Sequence, residues 1–416
     1  MPRSHVLSLA VLILASLLGA SCKGKAGAKG GTAAGVGSGS NAEGGLVPLS
    51  STTDGSIAIG NLDATVGGQE RRLANDPGNF ELRAGLVELL LTRGQYLGTI
   101  ADYERASDIA ETLVREGPQH VESWKARAST NATWHRFDAA LEDLRSAEKA
   151  GASTGSVTRT RSSILAATGK LDEAWAAAPS DGDLAGDSVS LAARGLLAGE
   201  LGRMADAEGD LAAARSRYRD VSPLPLAWMD AMQAALYEKN GDRAKARAYY
   251  TRANRILPLY ARAAAHLATY ETAQRAVAIL EPVAVRSDDP EVHGELGDAL
   301  RRVGRAAESQ AELLKTRERY DALLAKHHEA FADHAARFWL GAGGEPSRAL
   351  PLAAANAKLR PTDEALSLWF EAAQATRDAQ ATCDAARALT TLPHATEALR
   401  APARTALARC PAAHER

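Results

Sequence analysis

Three short stretches of the chain contain residue types that can do chemistry. GASTG, at 151–155, matches the G-x-S-x-G pattern that holds a nucleophilic serine in a sharp turn. KHHEAFADH, at 326–334, offers three histidines to a metal ion. Cys383 and Cys410 could form a disulfide if the chain is exported. What each stretch can do depends on the element that carries it.

The serine stretch lacks the context that a nucleophile elbow requires. An elbow needs a strand before the serine and a helix after it. GASTG instead follows LEDLRSAEKA, which has the composition of a helix end. We therefore interpret GASTG as a loop between two helices, and we predict no catalytic residue.

The histidine stretch has the wrong spacing for a shared metal. His334 lies six residues after His328 and seven after His327, which is about 9–10 Å of rise along a helix. Two imidazoles on one zinc need positions i and i+4, as in H-E-x-x-H. The sequence contains no P-loop and no C-x-x-C pair. We therefore expect no metal and no cofactor.

A recurring spacing of small and large residues dominates the rest of the chain. In NGDRAKARAYYTRANRILP, Gly241 is followed by Ala246, Tyr250, Ala253 and Pro258. Two alanines seven residues apart share one helix face and let two helix axes approach closely. A glycine permits the tight turn before such a helix, and the proline ends it. The segment therefore predicts a turn followed by a closely packed helix.

The same spacing returns at four other turns, with a small residue seven positions before each turn. The turn positions, with their small and large followers, are His135 with Ala140, Leu144 and Ala147; Gly169 with Ala174 and Ala178; Gly202 with Ala207, Leu211 and Ala214; and Gly304 with Ser309, Leu313 and Thr316. The small residues that precede the five turns, Gly241 included, are Ala128, Ser162, Gly195, Ala234 and Gly297. The intervals between successive turns from His135 to Gly241 are 34, 33 and 39 residues, and the gap of 63 residues to Gly304 has room for one degenerate repeat. A near-constant period of this kind is typical of repeat architectures.

This pattern resembles the tetratricopeptide repeat (TPR) family, whose unit is an antiparallel pair of helices of about 34 residues. The resemblance covers roughly residues 75–390. It implies an all-α fold, an α-solenoid in which stacked hairpins bury the apolar stripes that no single hairpin can bury. We expect about eight helix pairs and essentially no sheet over 75–410, with HATEALRAPARTALAR, at 394–409, as a terminal cap.

The N-terminus has the composition of a targeting signal. Arg3 precedes VLSLAVLILASLL at 6–18, which is short for a membrane span and suits a signal-peptide core. The following GASC resembles the lipobox of bacterial lipoproteins, with Cys22 as the lipidated residue. Gly19 departs from the leucine that this pattern favours, so cleavage without lipidation stays open. We predict a signal peptide at 1–21, a flexible Gly/Ala/Ser-rich tether at 22–56 and the helical array at 57–416.

An exported chain enters an oxidising compartment, and with Cys22 lipidated only Cys383 and Cys410 remain to pair. Their spacing about a turn at Leu392-Pro393 leaves an axial mismatch of about 12 Å on two straight helices. A disulfide requires Cα atoms within about 7 Å. We predict the bond, with Pro402 breaking the last helix so that the chain folds back.

The family resemblance implies that the first helix of each pair lines a concave face that binds a protein or peptide segment. Spacing places these residues on that face: Lys125, Ser129, Arg159, Leu196, Trp228, Glu238, Asp298, Arg301 and Arg302. The net charge is −2, and four of the cations precede the array, which argues against a nucleic-acid surface. We expect a non-catalytic interaction scaffold of the bacterial cell envelope, with no small-molecule substrate. A cleft with converging, strongly shifted titratable groups would favour the alternative, an enzyme or enzyme subunit.

The lipobox-like ending gives a direct test of location. We expect Cys22→Ser to release the protein into the soluble fraction or to leave it unprocessed, because the variant lacks the thiol that carries the lipid. Membrane fractionation and gel mobility measure both outcomes. A variant that fractionates and migrates like the wild type would exclude lipidation at Cys22.

Overall fold

The computed structural model describes residues 51–179 and 187–411, and every regular element in these ranges is an α-helix. The predicted signal peptide, Cys22 and the tether up to residue 50 lie outside the described residues. The helices are α1 (Gly55–Asn75), α2 (Phe80–Leu97), α3 (Ile100–Glu116), α4 (Val121–Thr133), α5 (Phe137–Lys149), α6 (Thr154–Ala167), α7 (Leu171–Ala177), α8 (Ser188–Glu200), α9 (Met204–Arg217), α10 (Leu224–Lys239), α11 (Arg243–Ile256), α12 (Ala261–Ala268), α13 (Ala273–Ala284), α14 (Pro290–Arg302), α15 (Ala306–Lys326), α16 (His328–Leu340), α17 (Pro346–Leu359), α18 (Asp363–Thr376), α19 (Ala379–Thr391) and α20 (Glu397–Leu407).

Helices α2 to α19 pack as successive hairpins, each pair against the next, with α1 before them and α20 after them. The even-numbered helices from α2 to α18 are the first helices of their pairs. The predicted all-α solenoid is confirmed, and within the described ranges it contains nine pairs rather than about eight. α1 begins at Gly55, just before the predicted start of the array, and Asp54 caps it by accepting the amide hydrogens of Ser56 and Ile57.

The predicted turn positions share one backbone conformation. The four glycines at 169, 202, 241 and 304 have φ between 77° and 82°. A Cβ at Gly241 would touch nothing within 4 Å, so the left-handed φ is itself the reason for glycine there. His135 adopts the same conformation at φ 57°, and its Nδ1 lies 3.0 Å from the carbonyl oxygen of Glu329. The histidine thus occupies a glycine position and gains a distant contact.

The small and large positions of the repeat form the core between helices. Ala246, Tyr250 and Ala253 on α11 are all fully buried. The Tyr250 ring stacks on His266 of α12 with centroids 5.3 Å apart. The two alanines therefore lie where helices touch, and the tyrosine fills the space toward the next pair.

The solenoid closes on itself, because its N-terminal helices pack against helices far along the chain. The Tyr96 hydroxyl donates to the carbonyl oxygen of Leu224 at 2.9 Å, and the Tyr96 and Tyr260 ring centroids are 5.0 Å apart. The carbonyl oxygen of Gly98 accepts the Ser287 hydroxyl at 2.9 Å. A single buried core accordingly joins α1 and α2 to the helices from α6 to α14.

A second set of contacts extends this closure to α15 and α16. The Trp134 ring stacks on His327 with centroids 3.7 Å apart and an interplanar angle of 4°. Lys326 forms an ion pair with Glu104 at 2.8 Å. The inner faces of many first helices therefore pack against protein instead of forming an open groove.

The terminal cap contains the predicted disulfide. Cys383 on α19 is bonded to Cys410, with the Cα atoms 5.8 Å apart. The expectation that Pro402 breaks the last helix is wrong, because α20 continues through it to Leu407. The loop at 392–396 instead separates the two helices, and the chain turns at 408–410. These two features remove the axial mismatch that straight helices would impose.

Within the described ranges, no helix is both long enough and apolar enough to cross a bilayer.

The close packing at Ala246 can be tested on a single helix. We expect Ala246→Trp to destabilise the fold by at least about 1–3 kcal/mol, because the site is fully buried and an indole overpacks it. Ala244→Trp is the matched control, because Ala244 is exposed on the same helix. Urea unfolding followed by circular dichroism measures both variants. Equal stability of the two would contradict a close contact at Ala246.

Candidate functional site

The inner face of the solenoid is open along its N-terminal first helices. A cleft of 750 Å³ lies between α2, α4, α6 and the start of α8. We call it the hydroxyl cleft because serine and threonine side chains make up much of its lining. Its polar lining residues are Glu88, Glu122, Lys125, Ser129, Thr154, Ser156, Thr158, Arg159, Thr160, Asp187 and Ser190. The predicted Lys125, Ser129 and Arg159 all lie on this cleft.

The charges in the hydroxyl cleft are paired except at one position. Lys125 pairs with Glu122 at 3.1 Å, and Arg159 contacts Asp187 at 2.9 Å and the Ser190 hydroxyl at 2.7 Å. The carboxylate of Glu88 makes no hydrogen bond or ion pair with any residue in the described ranges. Burial raises the pKa of Glu88, and the nearby charge of Lys125 opposes this effect. Among the described residues, Glu88 is therefore a cleft carboxylate without a direct ion pair, and the charge of Lys125 acts on it only at longer range.

The serine stretch contributes to this cleft as a helix start. Residues 150–153 connect α5 to α6, both of which are helices, so the strand of a nucleophile elbow is missing. Ser153, the serine of GASTG, is the N-cap residue of α6, and its carbonyl oxygen accepts the Ser156 hydroxyl at 2.7 Å within the first turn. Thr154, Gly155 and Ser156 line the wall of the cleft.

The structure contradicts three of the predicted binding positions. Leu196 is 3% exposed and Trp228 is fully buried, both in the main core. The side chain of Glu238 is 3% exposed and accepts the hydroxyls of Tyr250 at 3.1 Å and Tyr270 at 2.7 Å. Helical spacing turns these residues away from their partner helix, but closure of the solenoid buries that face too.

The remaining three predicted residues lie at the exposed end of α14. Asp298 pairs with Arg301 and lies 3.8 Å from Arg302. Asp298 and Arg302 line a cavity of 250 Å³ between α12, α14 and α16, which we call the outer cavity. Arg301 is 61% exposed and lies outside that lining. The predicted residues thus fall in two separate places, and no single groove contains them.

A smaller cavity of 120 Å³ adjoins the outer cavity, and we call it the inner cavity. Glu291 and His334 line both cavities. The inner cavity receives residues from α2, α3, α4, α12, α14 and α16, including Gln95, Tyr103, Trp134, His135, Tyr260, Arg262, Asp289 and Phe331. It exists only because the N-terminal helices pack against α12, α14 and α16.

Titratable groups converge between the two cavities. His334 lies 3.3 Å from Glu291, and His266 lies 3.8 Å from it on the other side. Burial works to raise the pKa of Glu291, but the contact with His334 outweighs it and lowers the pKa. The charges of Asp333 and Glu291 overcome burial and raise the pKa of His334. The pair is therefore stabilised as an imidazolium with a carboxylate.

The three clustered histidines have separate roles. His334 belongs to this ion pair, His327 stacks on Trp134, and His328 begins α16. In the described ranges, no three His, Cys, Asp or Glu side chains are arranged to hold a metal ion.

The sequence analysis did not predict the buried ion pairs that join neighbouring helices. Asp230 of α10 accepts from Arg215 of α9 at 2.8 Å and from Arg252 of α11 at 2.6 Å, and all three are buried. The sequence does contain a repeated signal for two other ion pairs. In each, an arginine stands directly before the small residue that precedes the turn, and an aspartate follows 16 residues after that arginine. Arg127 with Asp143 and Arg194 with Asp210 show this spacing and are paired.

The buried carboxyl group of Glu364, at the start of α18, predicts a pH dependence of stability. Lys239 of α10 pairs with Glu200 and with Asp363, the latter at 2.7 Å. Burial and the charge of Glu200 raise the pKa of the adjacent Glu364 to about 8. Because this folded-state pKa lies above the ordinary value of 4.5, the stabilising contribution is complete below about 4.5 and is lost as the pH rises through about 8.

We therefore expect the wild type to lose stability between about pH 5 and 8.5, and Glu364→Gln to lose less, because Gln keeps the neutral form at every pH. Chemical unfolding at a series of pH values gives the comparison. Glu173→Gln, at an exposed position on α7, is the control and should follow the wild type. Parallel profiles for the wild type and Glu364→Gln would contradict the shifted pKa.

Comparisons with known proteins give only distant likenesses. No family model matches the chain, and no curated protein matches its sequence. The human IFIT1 dimer with PPP-AAAA is similar over 76% of this chain and 73% of that one, at 15% identity and a TM-score of 0.44. The P58(IPK) TPR domain is similar over 85% of this chain and 95% of that one, at 14% identity and a TM-score of 0.23. The Cut9–Hcn1 hetero-tetramer of APC/C is similar over 85% and 88%, at 12% identity and a TM-score of 0.30. The turn geometry and hairpin packing of the chain itself define its fold as a TPR-like α-solenoid.

Proposed function

We propose that this protein is a non-catalytic scaffold that holds a segment of a partner protein in the hydroxyl cleft. The observation that carries the proposal is that the first helices α2, α4, α6 and α8 leave a cleft of 750 Å³ between them. First helices form the surface that the resemblance to TPR proteins implies for binding. Elsewhere in the solenoid the corresponding faces are largely buried by closure.

The lining of the cleft indicates which kind of segment it takes. Hydroxyl groups both donate and accept hydrogen bonds, so they suit the backbone of an extended chain. Glu88 is a partly buried carboxylate without a partner in the described ranges, so a Lys or Arg of the segment would gain a charge-assisted contact there. We therefore propose a polar, extended segment that carries a basic residue opposite Glu88.

The proposed setting is the bacterial cell envelope. The support is in the sequence: an apolar stretch at 6–18, a lipobox-like GASC and a Gly-rich tract before the first helix. In this proposal Cys22 carries a lipid and the tract lets the folded array stand off a membrane, the outer one in preference to the inner one. The array would then present its cleft to another envelope protein.

An enzyme is the second candidate, because titratable groups converge at Asp289, Glu291 and His334 as in many active sites. Two observations on the cavity linings favour binding instead. Glu291 and His334 neutralise each other. The hydroxyls of Thr133 and Thr269, which line these cavities, are bonded to helix carbonyls at 2.9 and 2.8 Å.

Site-specific photo-crosslinking in native cells tests the scaffold proposal. We expect a photoreactive residue at position 156, which is exposed on the cleft wall, to capture a defined partner. The same residue at Val285, which is 86% exposed at the end of α13, is the control and should not capture it. Capture at both positions, or only at 285, would contradict binding in the cleft.

The role of charge can be tested on the captured complex. We expect Glu88→Gln to reduce crosslinking at position 156 several-fold, because it removes the carboxylate that meets the basic residue. Glu81→Gln, at an exposed position on the same helix, should leave the yield unchanged. An unaltered yield in Glu88→Gln would exclude a basic residue at this point.

A further inference from the structure

The inner cavity contains polar groups that the protein itself does not satisfy. Gln95 is 8% exposed, and neither its amide nitrogen nor its amide oxygen has a hydrogen-bond partner in the described structure. The hydroxyl of Tyr260 is fully buried and also lacks a partner. The two side chains are near neighbours, but no hydrogen bond of acceptable geometry joins them. Buried polar groups are usually paired, so these two side chains can bind a polar molecule that enters the cavity.

The cavity lining also includes one positive group, Arg262, and one negative group, Asp289, that form no direct ion pair in the described structure. Arg262 makes no hydrogen bond or ion pair with any residue in the described ranges. Asp289 accepts only the backbone amide hydrogen of Glu291, at 2.9 Å, through its helix-capping oxygen. Glu291, by contrast, is engaged by His334 at 3.3 Å. In the described structure, the Arg262 guanidinium and the Asp289 carboxylate therefore face the cavity without a direct ion pair, although the charge of each acts on the other.

We propose that the inner cavity binds a small free α-amino acid, with its ammonium group at Asp289 and its carboxylate at Arg262. The guanidinium suits a carboxylate because its N–H groups can donate two parallel hydrogen bonds. The amide of Gln95 and the hydroxyl of Tyr260 supply further donors and acceptors to the same ligand. A lone anion or a lone cation would satisfy only one of the two charges.

The size of the cavity restricts the ligand to a few heavy atoms. Its 120 Å³ is similar to the cavity of about 150 Å³ that binds benzene in an engineered protein. Alanine and serine have about as many heavy atoms as benzene. Tyr103, Trp134 and Phe331 form an aromatic wall beside the polar groups, which favours a short apolar side chain over a second charge.

The ligand can reach this cavity from the outer cavity. The two cavities share Glu291 and His334, and the outer cavity of 250 Å³ adjoins the inner one at these residues. This site is separate from the hydroxyl cleft and departs from the expectation that the chain binds no small molecule. Gln95 and His334 stand far apart in the sequence, so only closure brings them together.

Titration calorimetry on the full chain, with the twenty common amino acids as probes, tests the proposal. We expect small amino acids such as alanine or serine to bind at least tenfold more tightly than propionate or ethylamine, which each lack one charge. Thermal melting at saturating alanine and serine provides a second readout. No heat and no shift in Tm with any amino acid, or equal binding of propionate, would overturn the proposal.

Three variants connect binding to the named groups. We expect Arg262→Gln and Asp289→Asn each to weaken binding at least tenfold, and Asn preserves the helix cap that Asp289 provides. Gln95→Leu removes the buried amide without a charge change and should also weaken binding. This variant keeps the test decisive if the two charge variants fold poorly. Arg301→Ala, at a 61% exposed position outside the cavity, is the control. Binding that survives all three changes would overturn the proposal.

The pH dependence gives an independent check. Burial and the charge of Glu291 raise the pKa of Asp289 to about 6. The other titratable or charged groups that act on Asp289 from neighbouring elements are Tyr103 of α3, Arg262 of α12, Tyr320 of α15 and His334 of α16. Because the ligand ammonium needs the ionised carboxylate, we expect affinity to fall as the pH drops from about 7 to 5. Affinity that rises over this range would contradict the assignment of Asp289.

Discussion

Closure of the solenoid is the constraint on which the rest of the structure depends. A helix hairpin with small residues at its contact faces stacks readily on the next hairpin, and this local packing alone would give an open superhelix. Here Tyr96 hydrogen-bonds to Leu224 and Gly98 to Ser287, so the first pair of helices packs against the middle of the array. Faces that would otherwise be solvent-exposed become core.

Stacking of neighbouring hairpins and closure both remove charged side chains from water, and the chain compensates by pairing them. Asp230 lies between Arg215 and Arg252, and Lys239 lies between Glu200 and Asp363. Breaking one partner of a buried pair leaves an uncompensated charge and typically costs about 3–5 kcal/mol. These pairs therefore fix which helices can meet, although a well-packed apolar substitute could be equally stable.

Closure also separates two polar spaces of different size on the inner surface. The hydroxyl cleft stays open between α2, α4, α6 and α8, and its size and lining suit an extended segment of a protein. The inner cavity lies between the N-terminal helices and α12, α14 and α16, and its size suits a ligand of a few heavy atoms. Its exact shape depends on how the N-terminal helices lie on α12, α14 and α16. A ligand there would therefore contact both parts and stabilise the closed form.

The sequence by itself determined the repeating unit. The turn at Gly241, the buried Ala246 and the glycine-like conformation of His135 all follow from interactions within a single helix hairpin, so spacing and residue size were enough to predict them. Leu196, Trp228 and Glu238 were misplaced because their exposure depends on what the opposite end of the array covers. The curvature that brings Gln95 to His334 is the sum of small rotations between successive hairpins, and no local pattern of residues encodes it. Only the tertiary structure decided that the solenoid closes, because closure is a property of the whole stack.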